Sequence, residues 1–343
     1  MRWIAALLAV GLLAAAGVRV AAEPAAKPAA RSPTDLQAAE AFAAGDYAEA
    51  LRLSLIAAAG GDVDAISRVG DIYAEGYGTP VDYGQALAWY TKAADKGVAG
   101  AQYDVGVMYQ KGMGTPQDFA AAVKWYRKAA AQNFAAAERQ LGALYHRGWG
   151  VPRDEAQSLA LSLRAAQHGD VAAATVVGAI YDEGDGVARD YAAAMAWFRL
   201  AAAEGDAGAQ YNIGQLYDTG HGVPQNHVTA LEWYLKAADQ GLSMAENNIG
   251  TLYMDGLGVP KDEAQGLAWY RKAAAHGDAR AMYNIGRLYM AGRAVERDEA
   301  QARDWMTRAS KAGLAAATAW LASHDPSRGV SVDEWGKDNP PPR

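Results

Sequence analysis

AENNIGTLYMDGLGVPKDEAQGLAWYRKAAAHG, residues 245–277, reads as two helices joined by a glycine-punctuated turn. Ala245, Ile249 and Leu252 fall on one face at helical spacing. Gly256, Gly258 and Pro260 then end the first helix, because glycine supplies a left-handed cap and proline prevents continuation. Asp262 stands where an N-cap belongs, with Gln265 three residues on as a capping-box-like partner. The second helix carries Trp269-Tyr270 and Lys272-Ala273-Ala274 before Gly277 closes it.

Outward from this stretch, the pattern returns every 36 residues. Gly70, Gly106, Gly142, Gly178, Gly214, Gly250 and Gly286 keep that spacing, as do the tyrosines three residues after each of them. The N-cap position is Asp or Asn in all seven units: Asp82, Asp118, Asp154, Asp190, Asn226, Asp262 and Asp298. A period of this size marks a stacked-repeat architecture, here an all-α solenoid of helix-turn-helix units over about 35–323. Residues 35–62 form a degenerate first unit that keeps register through Asp46, and Leu314 to Ser323 complete a C-terminal cap. Glycine inside a helix costs about 1 kcal/mol in propensity, so the seven repeat glycines need a packing reason. The expected one is close approach by the tryptophan of a neighbouring helix. Trp89, Trp125, Trp197, Trp233, Trp269 and Trp305 share one site on the second helix and are assigned with the glycines to the structural core.

The ends read differently. Met1-Arg2-Trp3, an apolar run from Ile4 to Gly17 and Val20-Ala21-Ala22 form the pattern of a secretory signal peptide, residues 1–22, with cleavage near Ala22. The run is too short to span a bilayer, so the expected location is periplasmic or secreted, with no membrane span after cleavage. Residues 23–34 read as an Ala/Pro linker and 324–343 as a disordered tail. The chain has no cysteine, which removes disulfides, thiol catalysis and thiolate metal sites. Loss of Arg2 and Arg19 with the signal would take the net charge from −7 to −9, a poor balance for nucleic acid.

Residues 245–277 match the Sel-one-like repeat (SLR), a relative of the tetratricopeptide repeat, nearly throughout, and the chain resembles that family over about 35–323. The resemblance implies right-handed α/α superhelical stacking and adaptor or scaffold roles in assembling protein complexes. In bacteria such proteins are frequently exported and serve envelope signalling, polysaccharide export or host contact. Departures fall in the third unit, where Leu161-Ser162 replaces Trp-Tyr and Asn133 precedes it in place of glycine, and in the last, which reads Ala294-Val295-Glu296 in place of Gly-Val-Pro. The third unit is expected to be a softer point in the stack.

Motifs for chemistry are missing. No serine begins S-x-x-K, G-x-S-x-G is absent, and the paired loop glycines lack the rest of a phosphate loop. The six histidines show no H-E-x-x-H and no metal-ligand spacing. His168 and His276 read as exposed residues near helix ends, and Asp182, Glu183, Asp185 and Asp190 as a solvated acidic turn. No metal, cofactor or catalytic residue is expected. Two surfaces remain as candidates for binding. One is a stripe on the first helix that tetratricopeptide-like stacks turn toward a groove: Tyr103, Val107, Gln110; Tyr211, Gln215, Asp218; Asn247, Thr251, Met254; Tyr283, Arg287, Met290. The other is the row of apolar loop tips Tyr77, Met113, Trp149 and Leu257. The function that follows is an exported, non-catalytic scaffold binding another protein in the bacterial envelope. The alternatives are a glycan-binding module for envelope polysaccharide and, behind it, a cell-wall or β-lactam-related hydrolase.

Overall fold

A computed structural model describes residues 31–324, which divide into two compact units between Lys96 and Gly97. The signal peptide, most of the Ala/Pro linker and nearly all of the tail expected from the sequence lie outside the described residues. Seventeen helices and no strand occur among the described residues, and none of those helices is long and apolar enough to cross a membrane.

The first unit holds α1 (Pro33–Ala43), α2 (Tyr47–Ala59), α3 (Val63–Glu75) and α4 (Tyr83–Asp95). Asp35, fully buried on α1, pairs with Arg68 of α3, and Asp62, the N-cap of α3, accepts from the Ser32 amide at 2.9 Å. The second unit continues with α5 (Ala99–Lys111), α6 (Phe119–Ala130), α7 (Ala135–Arg147), α8 (Glu155–Gln167), α9 (Val171–Glu183), α10 (Tyr191–Ala203) and α11 (Ala207–Thr219). It ends with α12 (His227–Ala238), α13 (Ser243–Asp255), α14 (Glu263–Ala275), α15 (Ala279–Ala291), α16 (Glu299–Lys311) and α17 (Ala315–Ser323). Within each unit every helix packs on its neighbour in sequence, and the core of the second unit is a series of clusters along the repeats, as an α-solenoid requires.

Local chemistry sets these boundaries. Asp118, Asp154, Asp190, Asp262 and Asp298 each accept a hydrogen bond from the backbone amide three residues on at 2.9 Å, satisfying an orphan donor of the helix start. Their own amides donate to the carbonyls of Tyr109, Tyr145, Tyr181, Tyr253 and Tyr289 at 2.9–3.0 Å, which closes each turn. Asn133 takes the left-handed conformation at φ 61°, a role that asparagine fills more readily than other non-glycine residues. Ala294 adopts φ 59° with no such excuse, so the last repeat turn carries strain absent from its glycine counterparts.

The packing reason for the repeat glycines differs from the sequence expectation. Tyrosine or phenylalanine, and not the preceding tryptophan, lies on the bare backbone. A Cβ on Gly106, Gly178, Gly214 or Gly250 would stand 2.5–2.8 Å from ring atoms of Tyr126, Phe198, Tyr234 or Tyr270. Tyr90 does the same at Gly70 in the first unit. Trp89, Trp125, Trp233, Trp269 and Trp305 are only half-buried, and only Trp197 is buried. Lys128, Lys236 and Arg308 sit 3.7–3.8 Å from the ring centres of Trp125, Trp233 and Trp305, covering the outer face by cation–π contact. The third repeat lacks the plug: over Gly142 stand the Ser158 carbonyl and the Ser162 hydroxyl at 3.2 and 3.3 Å.

Candidate functional site

Loop tips in the second unit fall at one repeat position, and those from Trp149 to Leu257 rest on the start of the preceding repeat's second helix. A Cβ on Gly258 would stand 2.6 Å from the backbone of His227, and Gly150, Gly186 and Gly222 crowd Phe119, Glu155 and Tyr191 in the same way. This geometry brings together residues 30 apart. Trp149 packs on Phe119 with ring centres 4.9 Å apart, and His221 stacks on Tyr191 at the same separation. Arg293 pairs with Glu263 at 2.7 Å. The tip side chains therefore differ from repeat to repeat while their placement does not.

Of the four apolar tips expected to form a contact row, only Trp149 is well exposed, at 45%. Met113 and Leu257 are half-buried, and Leu257 packs against the core cluster around Tyr234. In the first unit Tyr77 is likewise tucked in, stacked on Tyr47 and edge-on to Phe42. Arg147 lies 5.2 Å from the centre of the Trp149 ring, leaving the remainder of that indole toward solvent.

The proposed groove stripe is largely interior. Tyr211, Asn247, Met254 and Met290 are buried, which corrects their assignment as recognition residues. Tyr103 and Tyr283 are half-buried, and the Tyr103 ring packs between Tyr126 and Phe134 at 5.7 and 5.4 Å. Other members serve the aromatic plugs. The Tyr126 hydroxyl donates to Gln110 Oε1 at 2.6 Å, Tyr234 donates to Asp218 Oδ2 at 3.3 Å, and Tyr270 meets the Thr251 hydroxyl at 3.0 Å. A ring buried against bare backbone needs a partner for its hydroxyl, and these positions supply it. Asp218 also binds His227 Nδ1 at 2.7 Å. Val107 and Arg287 are half-buried, and Gln215 alone of the stripe is exposed.

Two buried carboxylates escaped the sequence reading. Glu138 and Glu246 are fully buried, and their Oε2 atoms meet His168 and His276 Nδ1 at 2.7 and 2.8 Å. Arg164 and Lys272 approach the Oε1 atoms at 2.6 and 3.2 Å, within ion-pair range although without good hydrogen-bond geometry. His168 and His276 are exposed helix C-caps, as their positions in the sequence suggest, and each is anchored on a buried carboxylate. The equivalent pairs Gln102–Gln132 and Gln210–Gln240 hydrogen-bond at 2.8 and 3.0 Å. Every one of these pairs is 30 residues apart, and that recurring offset was the available signal.

A third cluster gathers His146, Glu155 and Asp185, whose ligand atoms all lie within 4.8 Å of one another. Burial raises the Glu155 carboxyl, but hydrogen bonds from His146 and Arg153 outweigh it and hold the group below the usual carboxylate range. Burial pushes Asp182 up in the next repeat, against the opposing charges of His221 and Arg189. A shallow cleft of about 180 Å³ is lined by Gln265, Ala268, Trp269 and Lys272, smaller than the roughly 300–1,000 Å³ usual for small-molecule sites.

The Sel1 repeat family matches seven consecutive segments, 63–98, 99–134, 135–170, 171–206, 207–242, 243–278 and 279–314. Among solved structures, the chain is similar to c5321, a protective antigen of uropathogenic Escherichia coli strains displaying an SLR fold. The identity is 32% over 82% of this chain, with a TM-score of 0.66, and the match spans 61% of that protein's length. It is also similar to a Sel1 repeat protein from Oxalobacter formigenes, 36% identical over 70% of this chain and 98% of the other, again with a TM-score of 0.66. A search of the curated proteins found no match. The chain belongs to the Sel1 repeat family.

Proposed function

We propose that this Sel1-repeat chain is an exported, non-catalytic adaptor that binds another protein in the bacterial cell envelope. The observation that carries this reading is the loop-tip row of the second unit. A recurring frame of helix glycine and Asp or Asn cap, with an aromatic plug in four of the six repeats, presents Met113, Trp149, Asp185, His221, Leu257 and Arg293 at one repeat position. Side chains that vary on a fixed frame suit recognition, whereas the residues that hold the frame are taken up by packing. Trp149 is the anchor, since a solvent-facing indole beside an arginine has the composition of an interface hot spot. Export rests on the leader pattern of residues 1–22, and the Escherichia coli relative's description as a protective antigen accords with it.

The test is capture of residues 23–343 from a crosslinked envelope fraction, with Trp149→Ala run beside it. A stoichiometric protein that disappears with Trp149→Ala, while the variant melts like the parent, supports the reading. Retention of polysaccharide without protein, or a partner indifferent to Trp149, overturns it.

A further inference from the structure

Where other repeats in the second unit place complementary side chains between loop tip and preceding helix, one junction sets two acids side by side. Trp149 meets Phe119, His221 meets Tyr191 and Arg293 meets Glu263, but Asp185 faces Glu155. His146 Nδ1 lies 2.9 Å from Glu155 Oε2 and 3.3 Å from Asp185 Oδ2. A neutral imidazole offers that nitrogen as a donor or an acceptor, so it satisfies one of these oxygens and not both. Arg153 pairs with the other two oxygens, Glu155 Oε1 and Asp185 Oδ1, and so offsets one of the two negative charges while leaving the oxygens that face His146 to it.

We propose that His146, Glu155 and Asp185 bind a divalent transition-metal ion, with zinc the fitting probe, which ties the repeat 135–170 to the repeat 171–206. Nitrogen and oxygen ligands held at about 2.0–2.2 Å around zinc stand about 3.0–3.4 Å from one another, close to the two separations from His146 already present, with all three ligand atoms within 4.8 Å of one another. One imidazole with two carboxylates suits zinc, cobalt or nickel, whereas calcium and magnesium favour all-oxygen sets. The side chains are 42%, 17% and 28% exposed, so an ion can enter and water can complete its shell. Glu155 and Asp185 with Arg153 leave a net negative charge to receive it.

The location gives the site a purpose. The repeat 135–170 lacks the aromatic plug, with Ser162 standing over Gly142 where the other repeats of this unit have a tyrosine, phenylalanine or methionine. A metal across its junction with the next repeat would replace packing that the plug supplies elsewhere. This holds whatever protein the loop row recognises.

Calorimetric titration of untagged residues 23–343 with zinc chloride tests it, with calcium chloride as comparison. The expected result is one saturable zinc site, a raised melting temperature in zinc and no calcium competition. His146→Ala and Asp185→Asn should each weaken zinc binding by at least about tenfold, the scale on which even supporting partners of metal ligands are felt. Both should melt like the parent in zinc-free buffer. The His227→Ala variant should bind zinc as the parent does. Absence of zinc binding, binding that survives His146→Ala, or tighter binding of calcium would overturn the proposal.

Discussion

The Tyr234 ring lies on the bare backbone of Gly214, so close that a Cβ on the glycine would stand 2.6 Å from two ring carbons. Tyr234 is fully buried, and its hydroxyl donates to Asp218, so neither ring nor backbone has room to retreat. Gly214→Ala should therefore destabilise the chain by about 1–3 kcal/mol through overpacking, despite alanine's helix propensity of about 1 kcal/mol. Gly142→Ala should cost less, since its neighbours stand 3.2 Å or more away and include the movable Ser162 hydroxyl. Urea denaturation of both variants checks the order, and equal losses would refute the plug.

Adjacent aromatics in the same helix should behave differently. Tyr234→Ala empties a fully buried site and should cost about 3–5 kcal/mol. Trp233 is half-buried under Lys236, so Trp233→Ala should cost roughly half as much. Thermal melts that rank tryptophan above tyrosine would restore the sequence expectation.

The clasp at Glu246 and His276 should be exchangeable for the one at Gln210 and Gln240, which occupies the same repeat positions. Alone, His276→Gln or Glu246→Gln leaves a mismatched pair. Each single change should cost roughly 1–2 kcal/mol, discounted from a fully buried ion pair because His276 and Lys272 are 44% exposed. The double variant should regain most of the loss. A double-mutant cycle by urea unfolding measures the coupling, and strictly additive losses would show that the two residues act independently.

Alkaline pH should weaken the fold. Burial, with Tyr103 adding to it at Tyr126 and Asp218 at Tyr234, pushes both hydroxyls well above the usual phenol range. The unfolded chain releases these protons near pH 10, while the folded chain keeps them. Their contribution is complete below about pH 10 and is lost as the pH rises beyond it. Tyrosinate absorbance followed beside circular dichroism should show a fraction of the rings ionising only with unfolding. Complete titration near pH 10 with helicity intact would contradict this.

Fold class was legible in residues 245–277 because helix caps and glycine turns are local: Asp262 and Gly256 act through atoms a few residues away. Repetition of that local grammar is what identifies a solenoid. The candidate site was less legible. Gln110, Asp218 and Thr251 looked available for recognition because nothing in their spacing shows the tyrosine hydroxyl each one meets. Asp185 read as part of a solvated acidic turn, and His146 drew no notice.

By itself the sequence determined the repeat length, the alternation of two helices, and which positions are constant. Tertiary structure decided which of two neighbouring rings turns inward. Trp233 and Tyr234 stand about 100° apart around one helix, and only the docking of that helix against Gly214 selects the tyrosine. It also decided the meeting of Glu155 with Asp185 and of Glu246 with His276, partners 30 residues apart in sequence. Those contacts depend on how one helix or repeat is rotated and stacked on another, a long-range quantity that local chemistry does not encode.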